Sequence, residues 1–292
     1  MSAKTDMLLT ALAPVIWGST YIVTTGLLPA GYPLTDAALR ALPAGLLLMA
    51  LTRQWPPRRW LGRLLILGAL NFALFWGALF VAAYRLPGGV AATLGAVQPL
   101  IVLVLARFIL QVPLSQRGIL AALTGLGGVG LLVLGPGADF DPVGMGAALL
   151  GAVSMAAGVV LTRKWHPDVS ALTFTSWQLT AGGILLLPFA LLAEPALPAL
   201  GAGAIVGFLW LSLAGAALSY FFWFRGIERL GPAAVTGLGF LSPLTAVLLG
   251  WQLRQETLSA AQWAGACVVL LSVWLGTRPA TGARRGAGLS RS

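Results

Sequence analysis

Apolar residues occur along this chain in long runs that short polar, glycine-rich or proline-rich segments separate. Most of the runs are close to 20 residues long, the length that a helix needs to cross the hydrocarbon layer of a bilayer. The breaks divide the sequence into ten such runs, at residues 7–25, 34–52, 61–83, 88–110, 117–135, 143–163, 170–192, 201–223, 232–252 and 260–277. The pattern therefore predicts ten transmembrane helices joined by tight turns.

The composition agrees with this pattern. Of the 292 residues, 58% are hydrophobic and 9% are charged, and the mean hydropathy is +0.90, whereas soluble domains carry roughly 25% charged residues. We therefore expect an all-α integral membrane protein. The first run resembles a signal peptide, but we interpret it as a helix because further apolar runs follow at once.

The basic residues predict the orientation in the membrane. If the N-terminus is cytoplasmic, fifteen Lys and Arg residues fall on the cytoplasmic side, and only Arg85 and Arg254 fall on the opposite side. The positive-inside rule then places both termini in the cytoplasm. The net charge of +10 is explained by this topology, so we expect no nucleic-acid partner.

The two halves of the chain repeat one another. Residues 86–105, LPGGVAATLGAVQPLIVLVL, align with residues 230–249, LGPAAVTGLGFLSPLTAVLL, at an offset of 144, and residues 43–51 align with 181–189 at an offset of 138. We expect one five-helix repeat over 1–135 and a second over 136–292, which ends in a basic cytoplasmic tail from about 279.

Because five is odd, the second repeat enters the membrane from the opposite side, which is the inverted-topology arrangement of many secondary transporters. The alternatives are a duplicated packing unit without transport and a channel.

Each repeat carries a proline within an apolar run. Proline removes a backbone donor and leaves the carbonyl four residues earlier without its helical partner. In a membrane such a carbonyl is tolerated only inside protein or beside a wet cavity. We therefore predict two matched bends at a central cavity, although the kinks could instead only shape packing. The predicted bend residues, and the polar residues beside them, are Gly95, Pro99, Gly239, Pro243, Gln98 and Ser242.

Aromatic and polar residues concentrate in the first, third, seventh and eighth runs. Aromatic rings can stack against a flat or bulky side chain, and an amide inside a membrane needs partners. Lipid-facing rings are the alternative interpretation. The predicted cavity residues are Trp17, Ser19, Thr20, Tyr21, Asn71, Phe75, Trp76, Phe80, Trp177, Gln178, Ser219, Tyr220 and Phe224.

Four segments carry a resemblance to a known family: WGSTY at 17–21, LRALPAGLLL at 39–48, the two proline segments, and LRQETLSAAQWAG at 253–265. With them, residues 7–278 resemble the drug/metabolite transporter superfamily in its ten-helix EamA branch. One departure is that Glu256 has no counterpart in the first repeat, where Val112 stands. The aromatic-rich helices are similar to those of the YddG-type exporters of aromatic and other neutral amino acids. The resemblance implies a transporter of the bacterial inner membrane.

The acidic residues all fall at termini, in loops or at the ends of the predicted spans, and Arg40 can pair with Asp36 one helical turn away. We therefore expect a facilitator rather than a proton-coupled carrier. Enzyme and ATP-binding motifs are absent from the sequence, and the lone Cys267 and His166 predict neither a metal nor a cofactor.

The predicted function is export of small neutral metabolites, most of all aromatic or hydrophobic amino acids, by alternating access. We expect a functional monomer whose only partners are its substrate and the lipid bilayer. The alternatives are an exporter of drugs or other hydrophobic metabolites, a proton-coupled antiporter, and a small-solute channel.

Overall fold

The computed structural model describes residues 3–86, 93–133, 141–254 and 258–277, and within these ranges all regular secondary structure is helical. Two apolar helices in these ranges are short, α4 Thr93–Ile109 and α10 Ala260–Gly276. Eight further helices are long and apolar enough to cross a membrane: α1 Ala3–Leu27, α2 Pro33–Thr52, α3 Arg58–Leu79, α5 Gln116–Val133, α6 Pro142–Lys164, α7 Ala171–Ala193, α8 Ala202–Leu230 and α9 Pro232–Leu253.

These helices fall on the ten predicted runs, with two notable differences at the ends. Helix α1 begins at Ala3 rather than residue 7, and α8 continues to Leu230 rather than residue 223. Both extensions carry charged residues, including Asp6 and Arg225, that the sequence pattern assigned to the membrane surface. The structure pairs these two side chains with each other, and the helices therefore extend through them.

Four pairs of helices pack along each other. Helix α2 packs along α7, α5 packs along α10, and α1 packs along α8. Helix α6 packs along residues Leu74–Arg85, the segment in which α3 ends. Small residues allow close approach, as is common between membrane helices. A Cβ atom on Gly45 would lie 2.5 Å from the backbone nitrogen of Thr180, and one on Gly183 would lie 2.7 Å from the Cα of Leu42. Helices α2 and α7 therefore meet backbone to backbone.

The outer surface of the bundle is apolar. Leu8, Phe108 and Leu192 are among the large side chains with more than two thirds of their surface exposed, at 71%, 73% and 87%. A soluble monomer rarely exposes so much contiguous apolar surface. Hydrocarbon chains are the environment that suits these side chains.

Helices α3 and α8 each contain a π-helical segment, Ala69–Ala73 and Trp210–Leu218. At the offset of 144 the first segment falls within the second. Each segment has a carbonyl that accepts a side-chain hydrogen bond from another helix: Ser154 donates to Leu70 at 2.8 Å, and Arg40 donates to Gly215 at 2.7 Å. Such π segments are frequent at functional sites.

The helices are also interrupted near the two prolines. Helix α4 resumes as Gln98–Ile109, with Pro99 in its first turn, and α9 resumes as Leu241–Arg254, with Pro243 in its first turn. The carbonyl of Gly239 accepts the backbone N–H of Ser242 at 3.0 Å. Our prediction of a free carbonyl at Gly239 was therefore wrong, because the turn supplies a donor three residues later.

Candidate functional site

Helices α1, α3 and α8 bring six aromatic side chains together in the centre of the bundle. The ring centroids of Phe72 and Tyr220 are 4.8 Å apart, and those of Trp17 and Tyr220 are 4.9 Å apart. Tyr220 is only 2% exposed. The rings meet tilted or edge to face, as aromatic pairs prefer. We call this group the central aromatic cluster, and it consists of Trp17, Phe72, Trp76, Tyr220, Trp223 and Phe224.

A cation borders this cluster. The guanidinium carbon of Arg40 lies 5.0 Å from the ring centroid of Trp76, and Nη2 donates to the carbonyl of Gly215 at 2.7 Å. The Nε atom of Arg40 is buried without a hydrogen-bond partner. The predicted pair of Arg40 with Asp36 was wrong, because the arginine side chain turns from α2 toward α8. One carboxylate oxygen of Asp36 is buried without a hydrogen-bond partner.

Ser219 joins the cluster to the same carbonyl. The indole N–H of Trp17 donates to the hydroxyl of Ser219 at 2.9 Å, and that hydroxyl donates to the carbonyl of Gly215 at 2.8 Å. The structure thus brings together the predicted site residues Trp17, Trp76, Ser219, Tyr220 and Phe224. Phe75 packs at the edge of the same core.

A second polar group connects α3, α6 and α7. The side-chain amide of Asn71 donates to Gln178 at 2.9 Å and to Thr162 at 3.2 Å, and Asn71 and Gln178 are fully buried. The amide oxygen of Asn71 and the amide nitrogen of Gln178 are buried without partners. Gly158 leaves room here, because a Cβ atom at this position would overlap the amide of Asn71.

The remaining predicted residues lie elsewhere. Trp177 packs with Trp60 and Phe174, and its indole donates to the backbone of Gln54 at 2.7 Å. It therefore belongs to a separate core, although it is the neighbour of Gln178 in the sequence.

Ser19 lies at the break in α1, where its hydroxyl donates to the carbonyl of Ile16 and accepts from the indole of Trp210. The hydroxyl of Thr20 is buried without a partner. Gln98 and Ser242 are partly buried beside the helix interruptions. The side chains of Tyr21 and Phe80, like the residue Glu256, lie outside the described part of the structure.

Three ion-pair groups in the described ranges involve no residue of the central aromatic cluster, and one of them joins His166 to Glu228 at 3.4 Å. Asp6 contacts Arg225 at 2.5 Å and Arg229 at 3.6 Å, and Arg85 contacts Asp141 at 3.3 Å. Asp6 lies in the first turn of α1, at the end of a span as the sequence predicted, but it is only 6% exposed and its charge is paired within the bundle. The spacing of Arg225 and Arg229, one helical turn apart on one face, is a signal that could have revealed its partners.

Trp223 was missed for a different reason. It was one ring among several in SYFFWFRG, and helical periodicity alone did not separate the inward rings from the lipid-facing ones. Within the described ranges, no three His, Cys, Asp or Glu side chains are grouped so that they could hold a metal ion.

A bundle of long apolar helices with an apolar exterior and polar groups in its centre is a multi-pass membrane protein. The sequence matches the EamA-like transporter family over residues 4–134 and 142–278, and the chain therefore belongs to this family of membrane transporters. The resemblance to the EamA branch of the drug/metabolite transporters is confirmed.

Individual relatives agree with this assignment. The chain is 47% identical over 255 residues to Protein PecM of Dickeya dadantii, covering 87% of this chain and 86% of PecM. It is 31% identical over 270 residues to the uncharacterized inner membrane transporter YedA of Escherichia coli K12, covering 90% and 87%. One solved crystal structure matches 94% of this chain and 97% of its own with a TM-score of 0.80 at 20% identity, which shows the fold alone.

Proposed function

We propose that this protein is a secondary transporter that exports small neutral metabolites, most of all aromatic and hydrophobic amino acids, across a bacterial inner membrane, as the YddG-type exporters do. Transport proceeds by alternating access through a central cavity and is a facilitated uniport without a cofactor. Both termini are cytoplasmic, and the monomer is the functional unit. The inner-membrane location is supported by the name of the relative YedA.

The observation that carries this proposal is the central aromatic cluster with its polar rim. Trp17 and Trp76 come from the first half of the chain, and Tyr220 and Ser219 come from the second. Aromatic faces can hold a flat apolar side chain, while the neighbouring polar groups hold charged ends. A small-molecule site at the junction of two halves is common in secondary transporters.

Three features support ten spans arranged as two inverted repeats. The π segments of α3 and α8 lie at matching positions, and so do the helix interruptions near Pro99 and Pro243. The packing is also the same in the two halves. If α1 corresponds to α6 and α3 corresponds to α8, the contact of α1 with α8 has its counterpart in the contact of α6 with the end of α3. The short helices α4 and α10 then complete five spans in each half.

Uptake into liposomes that contain the purified protein tests the proposal. We expect labelled phenylalanine and tryptophan to enter faster than in empty vesicles, with saturation and mutual competition. The variant Tyr220→Ala should lose most of this uptake, while Trp60→Ala, which alters the separate core of Trp177, should change transport much less. Absence of protein-dependent uptake would refute the amino-acid assignment. Uptake of uncharged drugs alone would favour the hydrophobic-metabolite alternative. An uptake rate that never saturates with substrate concentration would favour a channel.

A proton-coupled antiporter is the second candidate, and the burial of Asp36 favours it. This carboxyl group is 6% exposed, and one of its oxygens has no hydrogen-bond partner. Buried acids within membrane helices commonly carry protons in coupled transporters. If uptake requires a pH gradient in wild type and loses that requirement in Asp36→Asn, the uniport mechanism is wrong. If uptake is insensitive to the gradient in both, antiport is excluded.

A further inference from the structure

We propose that Arg40 is the anion-binding residue of the transport site and that the cargo therefore carries a carboxylate on a flat apolar body. This inference rests on the proposed transport function and specifies its substrate class. Three observations carry it: the depth of Arg40 in the bundle, its lack of a carboxylate partner, and its position against the central aromatic cluster.

Arg40 lies deep in the membrane-spanning part of the molecule. It follows Pro33, the first residue of α2, by about 10 Å along the helix axis. Its Nη2 atom donates to Gly215, which lies near the midpoint of α8 (Ala202–Leu230). A guanidinium at this depth is costly and marks a functional site in most membrane proteins.

The charge of Arg40 is not neutralised by the carboxylates around it. In the described ranges, the carboxylates that form ion pairs contact Arg85, Arg225, Arg229 and His166 rather than Arg40. The neighbouring Asp36 is one turn away but forms no ion pair with it. A carbonyl and the face of Trp76 are the groups that the guanidinium contacts, and Nε is buried without a partner. A carboxylate that accepts from Nε and from a terminal nitrogen would satisfy this unused donor.

The surroundings define the rest of the cargo. The ring of Trp76, over which Arg40 lies, is 6.3 Å from Tyr220 and 5.3 Å from Phe72. A molecule anchored by its carboxylate at Arg40 would place its apolar body against these rings. An aromatic amino acid and an aromatic carboxylic acid both fit this description, whereas an amide of the same amino acid lacks the anchor.

The anion site occurs once, although the chain is duplicated. At the offset of 138, Arg40 corresponds to Gln178, a neutral side chain that is already bonded to Asn71 and Thr162. The second half therefore offers an amide group where the first half offers a positive charge. The cargo binds in one orientation, with its carboxylate toward α2.

Calorimetry of the purified protein in detergent tests the inference with two probes that differ only in the carboxylate, 3-phenylpropanoate and its neutral amide, 3-phenylpropanamide. We expect the affinity of wild type for the carboxylate to be at least about tenfold higher than its affinity for the amide. The amide lacks a hydrogen bond to a charged group, and the loss of such a bond predicts a difference of this size. Because this comparison uses only wild type, it does not depend on how any variant folds. Equal affinities for the two probes would overturn the inference.

Variants locate the binding residue. Arg40→Gln should lose the preference for the carboxylate, and Arg40→Lys should retain part of it because the charge remains while the planar fork is lost. Arg63→Gln is the matched control, since Arg63 also lies 5.0 Å from a tryptophan, Trp60, but in a different core. A folded Arg40→Gln protein that still prefers the carboxylate would overturn the assignment.

Liposome uptake of labelled phenylalanine, measured in parallel, separates this inference from the proposed function. Binding of 3-phenylpropanoate without any phenylalanine uptake would refute amino-acid transport and retain the anion site. Uptake together with equal affinities for the two probes would refute the anion site and retain transport.

Discussion

Two arginines at matching positions of the repeat, Arg85 and Arg229, each pair with an aspartate near the start of a neighbouring helix, yet the two pairs differ in their exposure to solvent. Asp6 is 8% exposed at its side chain and contacts a second arginine, Arg225, which is itself 9% exposed. Asp141 is 32% exposed, and its partner Arg85 is 49% exposed.

The comparison shows that one sequence pattern serves two different structural purposes. Asp6 and Arg225 are buried and hold α1 to α8, so each depends on its partners for the solvation that water would otherwise supply. Asp141 also caps α6, because its carboxylate accepts the backbone N–H of Gly144 at 2.7 Å. Its ion pair with Arg85 is a surface contact of the kind that contributes little to stability.

Removing the buried carboxylate should have the largest effect. Asp6→Asn removes the carboxylate that contacts the buried guanidinium of Arg225, and breaking a buried ion pair is strongly destabilising in proteins. We expect the melting temperature in detergent to fall by several degrees. Asp141→Asn is the control and should change it by much less. Equal losses in the two variants would show that the burial of Asp6 does not matter for stability.

The two arginine partners of Asp6 should contribute differently to the melting temperature in the same assay. Arg225→Gln removes the contact at 2.5 Å from a 9% exposed side chain, while Arg229→Gln removes one at 3.6 Å from a side chain that is 44% exposed. We expect a clear loss of melting temperature for the first and a small one for the second. The double variants with Asp6→Asn should show strong coupling only for Arg225, and equal coupling would contradict this ranking.

The smallest effect concerns pH and salt at Asp141. The N–H of Gly144, and the nearby Arg85, hold the pKa of this carboxyl below its ordinary value of 3.8. The resulting stability is present above that value and is lost as the pH falls through the lowered pKa.

The measurement is the difference in melting temperature between wild type and Asp141→Ala. It should be constant from neutral pH to about pH 5 and shrink as the pH falls below 3.8 and through the lowered pKa of Asp141. Asp141→Asn keeps the helix cap and loses only the pair with Arg85, so its smaller loss should shrink in high salt. A difference that grows on acidification would contradict the lowered pKa.

The helix positions could be predicted from the sequence because membrane thickness fixes the length of an apolar run. The duplication around Pro99 and Pro243 also predicted where the helices are interrupted. The charged ends of α1 and α8 could not be predicted in the same way. A hydropathy pattern places every charge at the surface, and it cannot show that Asp6 and Arg225 meet across 219 positions of sequence.

Four of the six rings of the central aromatic cluster were visible in the sequence, since Trp17, Trp76, Tyr220 and Phe224 were expected at the cavity. The role of Arg40 was not, because its neighbour Asp36 offered a partner on the same helix face. Which of two helices a long side chain turns toward depends on packing, and a carbonyl in a π segment leaves no trace in residue periodicity. Trp177 was expected at the cavity but packs in a separate core, because residue periodicity does not show which helix a long side chain turns toward.

The close packing of the central aromatic cluster also gives the protein an optical signature. The chain has 11 tryptophans, and several of them, such as Trp55 at 77% exposed and Trp274 at 49%, lie on the outer surface. Trp17 and Trp223 instead stack at 4.8 Å, tilted by 57°. Two indoles this close share their electronic excitation, and their fixed tilt makes the coupled transition chiral. The near-ultraviolet circular dichroism of the unlabelled protein therefore contains a contribution from the centre of the molecule, beside that of the exposed pair Trp251 and Trp263, whose rings lie 5.7 Å apart.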